Sequence, residues 1–325
     1  MSSPLQSRST PSSVSFVFPV FNEAETLPHL RTAMDEWLRT NPVTAEVILV
    51  DDGSRDQSYK LITEWAAVDS RVRGLSFSKN FGHQMAVSAG LSVAQGDAIV
   101  IMDADLQDPL DVVAEMLTRY REGYDVVYGQ RAEREGETLF KRITAWMFYR
   151  IMRRFVHKDL PEDTGDFRLV SRRCLDAVLR MNEQHRFLRG IFAWVGFHQV
   201  AVRYKRNPRL YGQTKYPLLK MLKFAWNAAL SFSTFPIKLI TAGGFATATL
   251  ACIYGAYAVV QKYFFHSTVQ GWTGLVVILG LIGGMILVSL GVIGEYVGRI
   301  FEEVKRRPLY VVMEDTSKRN PLSPP

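Results

Sequence analysis

The sequence predicts an α/β protein: a mostly parallel sheet with helices on both faces, then interfacial amphipathic helices and a C-terminal hairpin of two transmembrane helices. Three observations carry this. From residue 14 to about 130, short β-branched or apolar runs alternate with helix-length segments, as in parallel strands joined by crossover helices. Between Glu183 and Glu295 there is no Asp or Glu, although Arg and Lys recur there. In the last third, Leu239 to Gln261 and Ser267 to Gly294 carry no charge. Each exceeds the roughly 20 residues a helix needs to cross a hydrocarbon core about 30 Å thick.

In chain order, residues 1–13, "MSSPLQSRSTPSS", are rich in Ser and Pro and lack an apolar signal-peptide core, so they read as a disordered lead-in. Residues 14–215 form the α/β domain, with strands expected at "VSFVFPV", "EVILV", "VRGLSFS", "DAIVIMD" and "DVVYG". Inside it, residues 137–158 read as a basic amphipathic helix at the membrane interface. Lys141, Arg142, Arg150, Arg153, Arg154 and Lys158 are interleaved there with Ile143, Trp146, Phe148 and Ile151 at near-helical spacing. A core-facing helix with a solvated basic face is the competing reading. Residues 216–235 form a second, juxtamembrane amphipathic helix.

The spanning helices are expected at 236–261 and 271–295, with a short extracytoplasmic loop at 262–270 and a tail at 296–325. "TAGGFATA" and "GLIGG" supply small residues for close helix approach. Lys215, Lys220, Lys223 and Lys238 precede the first span, and Arg299, Lys305, Arg306 and Arg307 follow the second. The positive-inside rule therefore puts both termini and the α/β domain on the cytoplasmic side of the plasma (inner) membrane.

The 325 residues give room for an ample core, and the net charge of +7 alone looks like that of an ordinary basic soluble protein. It is the acid-free, Lys- and Arg-bearing interval between Glu183 and Glu295 that points to an anionic partner. No zinc-finger, RNA-recognition or repeat pattern occurs, so nucleic acid is set aside in favour of phosphate ligands and a bilayer surface. Cys174 lies in a polar region and Cys252 in an apolar run. No disulfide between them and no metal-ligand spacing is expected, only inert buried thiols.

The chemistry concentrates where strands end. "IVIMDADLQDP" runs out of an apolar strand into Asp103 and Asp105, spaced i and i+2. Such a pair can point into one cleft and chelate a hard divalent cation, which would neutralise a departing diphosphate. Asp108, followed by Pro109, reads instead as the N-cap of the next helix. Asp-x-Asp alone is common, and two other strand ends add to it. "FPVFNEAE" brings Pro19, Asn22 and Glu23, and "LVDDGSRDQS" brings Asp51 and Asp52 before a Gly turn. Ligands of such sheets sit beyond the carboxyl ends of the strands.

In this order and spacing the three motifs resemble the "PxxNE…DDGSxD…DxD" series of the GT-A glycosyltransferases of family 2. "KNFGHQMAVSAGL", "YGQR", "TGDFRL", "RFLRGIFAWVGF" and "RLYGQTKY" further resemble the polyisoprenyl-phosphate glycosyltransferases. The nearest subgroup carries a trailing two-helix anchor and includes bactoprenol glucosyltransferases; dolichyl-phosphate mannose synthases are more distant. The likeness spans nearly the whole chain.

The resemblance implies a GT-A sheet and a sugar-nucleotide site at Pro19, Asn22, Glu23, Asp51, Asp52, Lys79 and Asp103. It implies Mg²⁺ or Mn²⁺ on Asp103 and Asp105, with Gln107 as either a third ligand or a surface amide. Arg131, Lys141, Arg142 and Thr144 would clamp the acceptor phosphate, and Arg209 and Lys215 would meet its headgroup as it leaves the bilayer. Asp166, with Asp105 and Arg168, falls at the reacting centre, where the family often has a general base. A lipid phosphate monoester with a second pKa of about 6 is already a dianion at neutral pH and needs no proton removed. Asp166 is therefore expected to hold sugar or acceptor in line, oriented by Arg168. A turn aspartate satisfying backbone donors after Gly165 is the alternative.

The implied reaction is metal-dependent inverting transfer of a hexose, with glucose from UDP-glucose as the leading donor, to undecaprenyl or another polyprenyl phosphate. A β-linked lipid-phosphate sugar for cell-envelope (O-antigen) modification results. GDP-mannose, UDP-GlcNAc or a UDP-aminoarabinose derivative are alternative donors, and a non-catalytic sugar-nucleotide-binding scaffold is the alternative class. A processive synthase is disfavoured because no Gln-x-x-Arg-Trp occurs, and a Rossmann dehydrogenase because no G-x-G-x-x-G follows the first strand. Homo-oligomerisation is left open.

Overall fold

The computed structural model describes residues 5–131, 164–207, 235–264 and 271–317. The chain divides into two compact units, one of residues 1–153, 157–217 and 308–325, the other of residues 154–156 and 218–307.

The first unit is built on an eight-stranded sheet. Its strands are β1 (Ser13–Val20), β2 (Thr44–Asp51), β3 (Val72–Phe77), β4 (Ala98–Ile101), β5 (Val126–Arg131), β6 (Thr164–Ser171), β7 (Gln199–Tyr204) and β8 (Val312–Asp315). They lie in the order β7-β5-β6-β4-β1-β2-β3-β8. Pairing is parallel at β1–β2, β1–β4, β2–β3 and β5–β7, and antiparallel at β4–β6, β5–β6 and β3–β8. Thus β6 and β8 alone among these strands run against the rest, and the mostly parallel expectation holds. The helices are α1 (Leu27–Thr40), α2 (Ser58–Val68), α3 (His83–Val93), α4 (Val112–Arg121), α5 (Arg172–Leu179) and α6 (Leu188–Trp194).

The two-residue period of β1 sorts its side chains onto two faces. Phe16, Phe18 and Val20 join Leu30, Met34 and Trp37 of α1, Ile62 and Trp65 of α2, and Val113 and Met116 of α4 in one buried cluster. Val17 faces the other way, toward α3. There Gly90 allows contact, since a Cβ at that position would lie 2.3 Å from Val17 Cγ1. Helices on both faces are therefore present, as the alternating pattern requires.

Several local expectations change. Residues 5–12, expected as a disordered lead-in, are pinned: the Arg8 guanidinium donates to Asp125 at 2.7 Å, and the Ser12 amide donates to Asp97 at 2.9 Å. The stretch expected as a tail after residue 295 continues its helix to Lys305 and then supplies β8, tied to β3 by a bidentate Arg73–Asp315 pair at 3.1 and 2.7 Å. Tyr310 stacks on Phe77 with ring centroids 5.0 Å apart. Cys174 is fully buried, as an inert thiol should be, whereas Cys252 is exposed on its helix. The interfacial helices expected at 137–158 and 216–235 lie outside the described residues, apart from Phe235.

The second unit contains α7 (Phe235–Phe264) and α8 (Trp272–Lys305). Ile237–Ala258 and Ile278–Lys305 are long and apolar enough to cross a membrane, and none of their apolar windows is buried. Within the unit the Thr247 hydroxyl meets the Met285 sulfur at 2.9 Å.

Candidate active site

The site begins where β1 loses a neighbour. β1 pairs with β4 only from Val14 to Val17, while its pairing with β2 continues to Val20. Pro19 lies past the last β4 pair, where its missing N–H costs no ladder bond. Strand order also reverses about β1, so a crevice opens between the carboxyl ends of β1 and β4.

Loops converge on that crevice. Asn22 adopts a left-handed backbone (φ 54°); its amide donates to Ser54 Oγ at 2.9 Å, and its side-chain oxygen accepts from the Arg55 amide at 2.8 Å. Glu23 accepts from the Thr26 hydroxyl, and its amide donates to Ser58. Gly53, at φ +68°, lies against the 79–80 backbone, where a Cβ would come within 2.5 Å of the Lys79 carbonyl carbon. Only glycine meets both demands. Asp51 and Asp52 are both buried. Asp51 accepts from the Ser54 amide and the Ser76 hydroxyl, and Asp52 accepts from the Phe81 and Gly82 amides at 2.7 and 3.1 Å. Burial raises the Asp52 pKa, and those amides oppose the rise. Lys79 rests its ammonium over the Phe81 ring at 5.0 Å.

Past β4, Asp103 Oδ1 lies 3.8 Å from His83 Nε2 at the start of α3. The Asp103 side chain keeps 35% of its accessibility, so it opens toward solvent despite its low-dielectric surroundings. Burial pushes its pKa up to about 6; the His83 charge opposes this, and the carboxylates of Asp166, Asp108 and Asp105 add to it. Asp105 accepts from the Gln107 amide at 3.2 Å across Leu106, which has φ 56°.

Asp166, on β6, is the most heavily bonded group of the site. Arg189 on α6 grips it with two donors at 2.8 and 3.2 Å, His83 Nε2 stands 3.0 Å away, and Gln84 Nε2 donates at 3.3 Å. Burial alone would raise its pKa, but the Arg189 charge and the His83 hydrogen bond hold it well below the usual carboxylate range. The same contact works on His83: burial disfavours the imidazolium, yet Asp166 and Asp103 outweigh this and raise its pKa.

Two expectations are corrected here. Arg168 does not touch the Asp166 carboxylate. Its guanidinium donates to the backbone carbonyls of Asp166 and Gly165 at 3.3 and 3.1 Å and lies over the Phe192 ring at 4.8 Å. It is buried, which lowers its pKa to about 10, and its hydrogen bonds support the turn that carries Asp166. Asp108 does not cap the next helix. α4 starts at Val112 after Asp111, with no side-chain cap hydrogen bond. Asp108 is instead drawn inward by the Tyr204 hydroxyl and by Arg206 at 3.4 Å, because a buried carboxylate is stable only with such donors.

His83, Gln84 and Arg189 lay within the quoted motifs, but nothing local assigned them a partner; each acts on a residue far away in the sequence. Arg131 ends β5, with its Nη2 3.5 Å from where a Gly165 Cβ would stand, which brings it beside the Asp166 turn. Lys141, Arg142, Thr144, Arg209 and Lys215 lie outside the described residues.

The donor set suits a hard cation. Asp103 and Asp105 offer carboxylate oxygens, and the burial that chiefly raises the Asp103 pKa, with the neighbouring carboxylates adding to it, is what a divalent ion would relieve. Among the described residues there is no ready cluster of three His, Cys, Asp or Glu ligands.

Residues 15–179 match the family described as Glycosyl transferase family 2. The chain is 45% identical over 310 residues to the glycosyltransferase YkcC of Bacillus subtilis, covering 94% of this chain and 95% of that one. It is 36% identical over 299 residues to the SfII prophage-derived bactoprenol glucosyl transferase of Shigella flexneri, covering 92% and 97%. Among solved structures, glucosyl-3-phosphoglycerate synthase from Mycobacterium tuberculosis is similar at 18% identity and a TM-score of 0.45, over 67% of this chain and 78% of that one. The family match and the near full-length relatives agree with the α/β fold, and the chain belongs to glycosyltransferase family 2. Within it, relatives that match over nearly their whole length carry the name bactoprenol glucosyl transferase.

Proposed function

We propose that this chain is a membrane-anchored inverting glycosyltransferase that moves a hexose from a UDP-sugar, glucose first, to polyprenyl phosphate at the cytoplasmic leaflet. One observation carries it: His83 bridges Asp103, past the end of β4, and Asp166, near the start of β6, at 3.8 and 3.0 Å, and the Asp105 charge acts on Asp103. The relatives named bactoprenol glucosyl transferase support glucose and a lipid acceptor, and α7 and α8 support the anchor.

In this reading a phosphate oxygen of the lipid attacks C1 of the donor sugar. The C1–O bond to UDP breaks, and its electron pair leaves with the diphosphate. Configuration inverts, so an α-linked donor gives a β-linked lipid phosphate. Asp103 and Asp105, with Gln107 close by, would hold Mg²⁺ or Mn²⁺, which supplies positive charge for the leaving diphosphate. Asn22, Glu23 and the Asp51–Asp52 turn shape the nucleotide end of the crevice, with Pro19 and Lys79 beside them.

Asp166 is kept ionised by Arg189, His83 and Gln84, so it accepts hydrogen bonds and is a poor base at neutral pH. It orients a hydroxyl of the sugar against the incoming phosphate. Arg131, with Lys141, Arg142, Thr144, Arg209 and Lys215, supplies positive charge for that phosphate.

The test is transfer by the purified full chain in detergent, given Mn²⁺, undecaprenyl phosphate and a panel of radiolabelled UDP- and GDP-sugars. Labelled lipid from UDP-glucose above all other donors is expected. Sugar-nucleotide binding without transfer to any lipid would overturn the enzymatic reading in favour of a scaffold.

A further inference from the structure

Asp108 takes no part in the chemistry above, yet it is the most enclosed carboxylate of the loop after β4, at 2% exposure. The Tyr204 hydroxyl donates to its Oδ1, and Arg206 Nε stands 3.4 Å from the same oxygen. The Arg131 charge acts on both Asp108 and Tyr204.

Tyr204 is itself a junction. Its ring meets Phe167 edge-on, with centroids 5.5 Å apart, and Phe167 directly follows Asp166 on β6. Gly129 on β5 makes room for that pair, because a Cβ there would come within 2.8 Å of both rings. A second tie lies one residue along, where the Asn207 amide donates to the Gln107 carbonyl at 2.9 Å. The exit of β7 is therefore stapled to the loop bearing Asp103, Asp105 and Gln107, and through Phe167 to the strand bearing Asp166.

We propose that Tyr204 and Asp108 are a positioning pair: they hold the loop after β4 in the geometry that receives a divalent cation with a nucleoside diphosphate, and fix it against the Asp166 strand. This rests on the glycosyl-transfer reading. A hydroxyl donating to a buried carboxylate forms a charge-assisted bond, and its loss leaves that charge short of a donor in a low-dielectric site. A shift of Asp108 toward its remaining donor, Arg206, then moves the loop and carries Asp103 and Asp105 with it.

Tyr204→Phe removes the hydroxyl and keeps the ring on Phe167. Calorimetric titration of UDP in the presence of Mn²⁺ is expected to show about a ten-fold weaker Kd. Paramagnetic resonance of free Mn²⁺ should show the matching loss of bound ion. The KM for UDP-glucose should rise similarly while the KM for polyprenyl phosphate stays put. Asp108→Asn, which still accepts from Tyr204, should lose less than Asp108→Ala.

If Tyr204→Phe binds Mn²⁺ and UDP like the wild type while the wild type transfers glucose, this inference fails and the functional reading stands. Equal rises in both KM values alongside a lower melting temperature would also overturn it, since that marks a purely structural role. A wild type without Mn²⁺-dependent UDP binding would sink the functional reading and this pair together.

Discussion

Asp125, just ahead of β5, is fully buried and surrounded by donors: Arg8 at 2.7 Å, Arg173 at 2.6 Å and the Ser171 hydroxyl at 2.7 Å. Asp103, just past β4, meets His83 at 3.8 Å, and the field of three other carboxylates falls on it. The contrast extends along the sheet. Ahead of the strands, Asp97 and Asp125 have lowered pKa values; at Asp97 the Ser12 hydrogen bond leads, and at Asp125 Arg173, Ser171 and Arg8 overcome burial. Past the strands, burial raises Asp52, Asp103 and Asp108. One end of the sheet surrounds its carboxylates with donors that stabilise the anion; at the other, burial outweighs the donors and disfavours the anion. Asp166 is the exception at the second end, ionised by Arg189 and His83 for its own task.

Four variants break or sharpen this contrast, the largest first. Asp166→Asn removes an ionised orienting group and should lower kcat by on the order of 10³-fold. The loss should be the same at every pH, and recovery of rate in alkaline buffer would mark Asp166 as a base after all. Asp125→Ala strips two arginines of a buried partner and should cost about 3 kcal/mol of stability, read as a lower melting temperature. Glucose transfer per folded molecule should be unchanged. Arg73→Ala, which frees Asp315 on β8, should cost about 1 kcal/mol by the same measurement, since the pair is partly exposed.

The smallest effect has the opposite sign. The Asp103 pKa is raised to about 6, so ionisation of this group costs the native state stability above that pH and nothing once it is protonated. Asp103→Asn should therefore melt higher than wild type at pH 8 without divalent ions, and no higher at pH 4. Added Mn²⁺ should raise the wild-type melting temperature and leave the variant unmoved. Asp125 works the other way: its stabilising contribution is present at neutral pH and is lost as pH falls through its depressed pKa.

Much of this was legible in the sequence. β1 through β5 fall on the five expected runs, and the carboxylate motifs lie at the strand ends where alternating β/α order puts them. The two apolar stretches became α7 and α8, because an uncharged run of that length has no other regular use. What stayed hidden depends on partners distant in sequence. β6 inserts antiparallel between β4 and β5, which no local period reveals. β8 is four residues long and borrows its stability from β3. Asp108 followed by Pro109 looked like a helix cap because capping is judged locally, whereas Tyr204 lies 96 positions away. Arg189 displaced Arg168 beside Asp166 for the same reason: a short helix distant in sequence, not the strand that carries Asp166 itself, aims the guanidinium at the carboxylate.

The most direct measurement is glucose transfer to undecaprenyl phosphate by the purified Asp103→Ala/Asp105→Ala double variant, with its Mn²⁺-dependent UDP binding followed in parallel. On the proposed reading the two carboxylates carry function and little of the fold, so the variant should fold with an unreduced melting temperature, fail to bind the Mn²⁺–UDP pair and form no labelled lipid. Transfer at the wild-type rate would contradict the account.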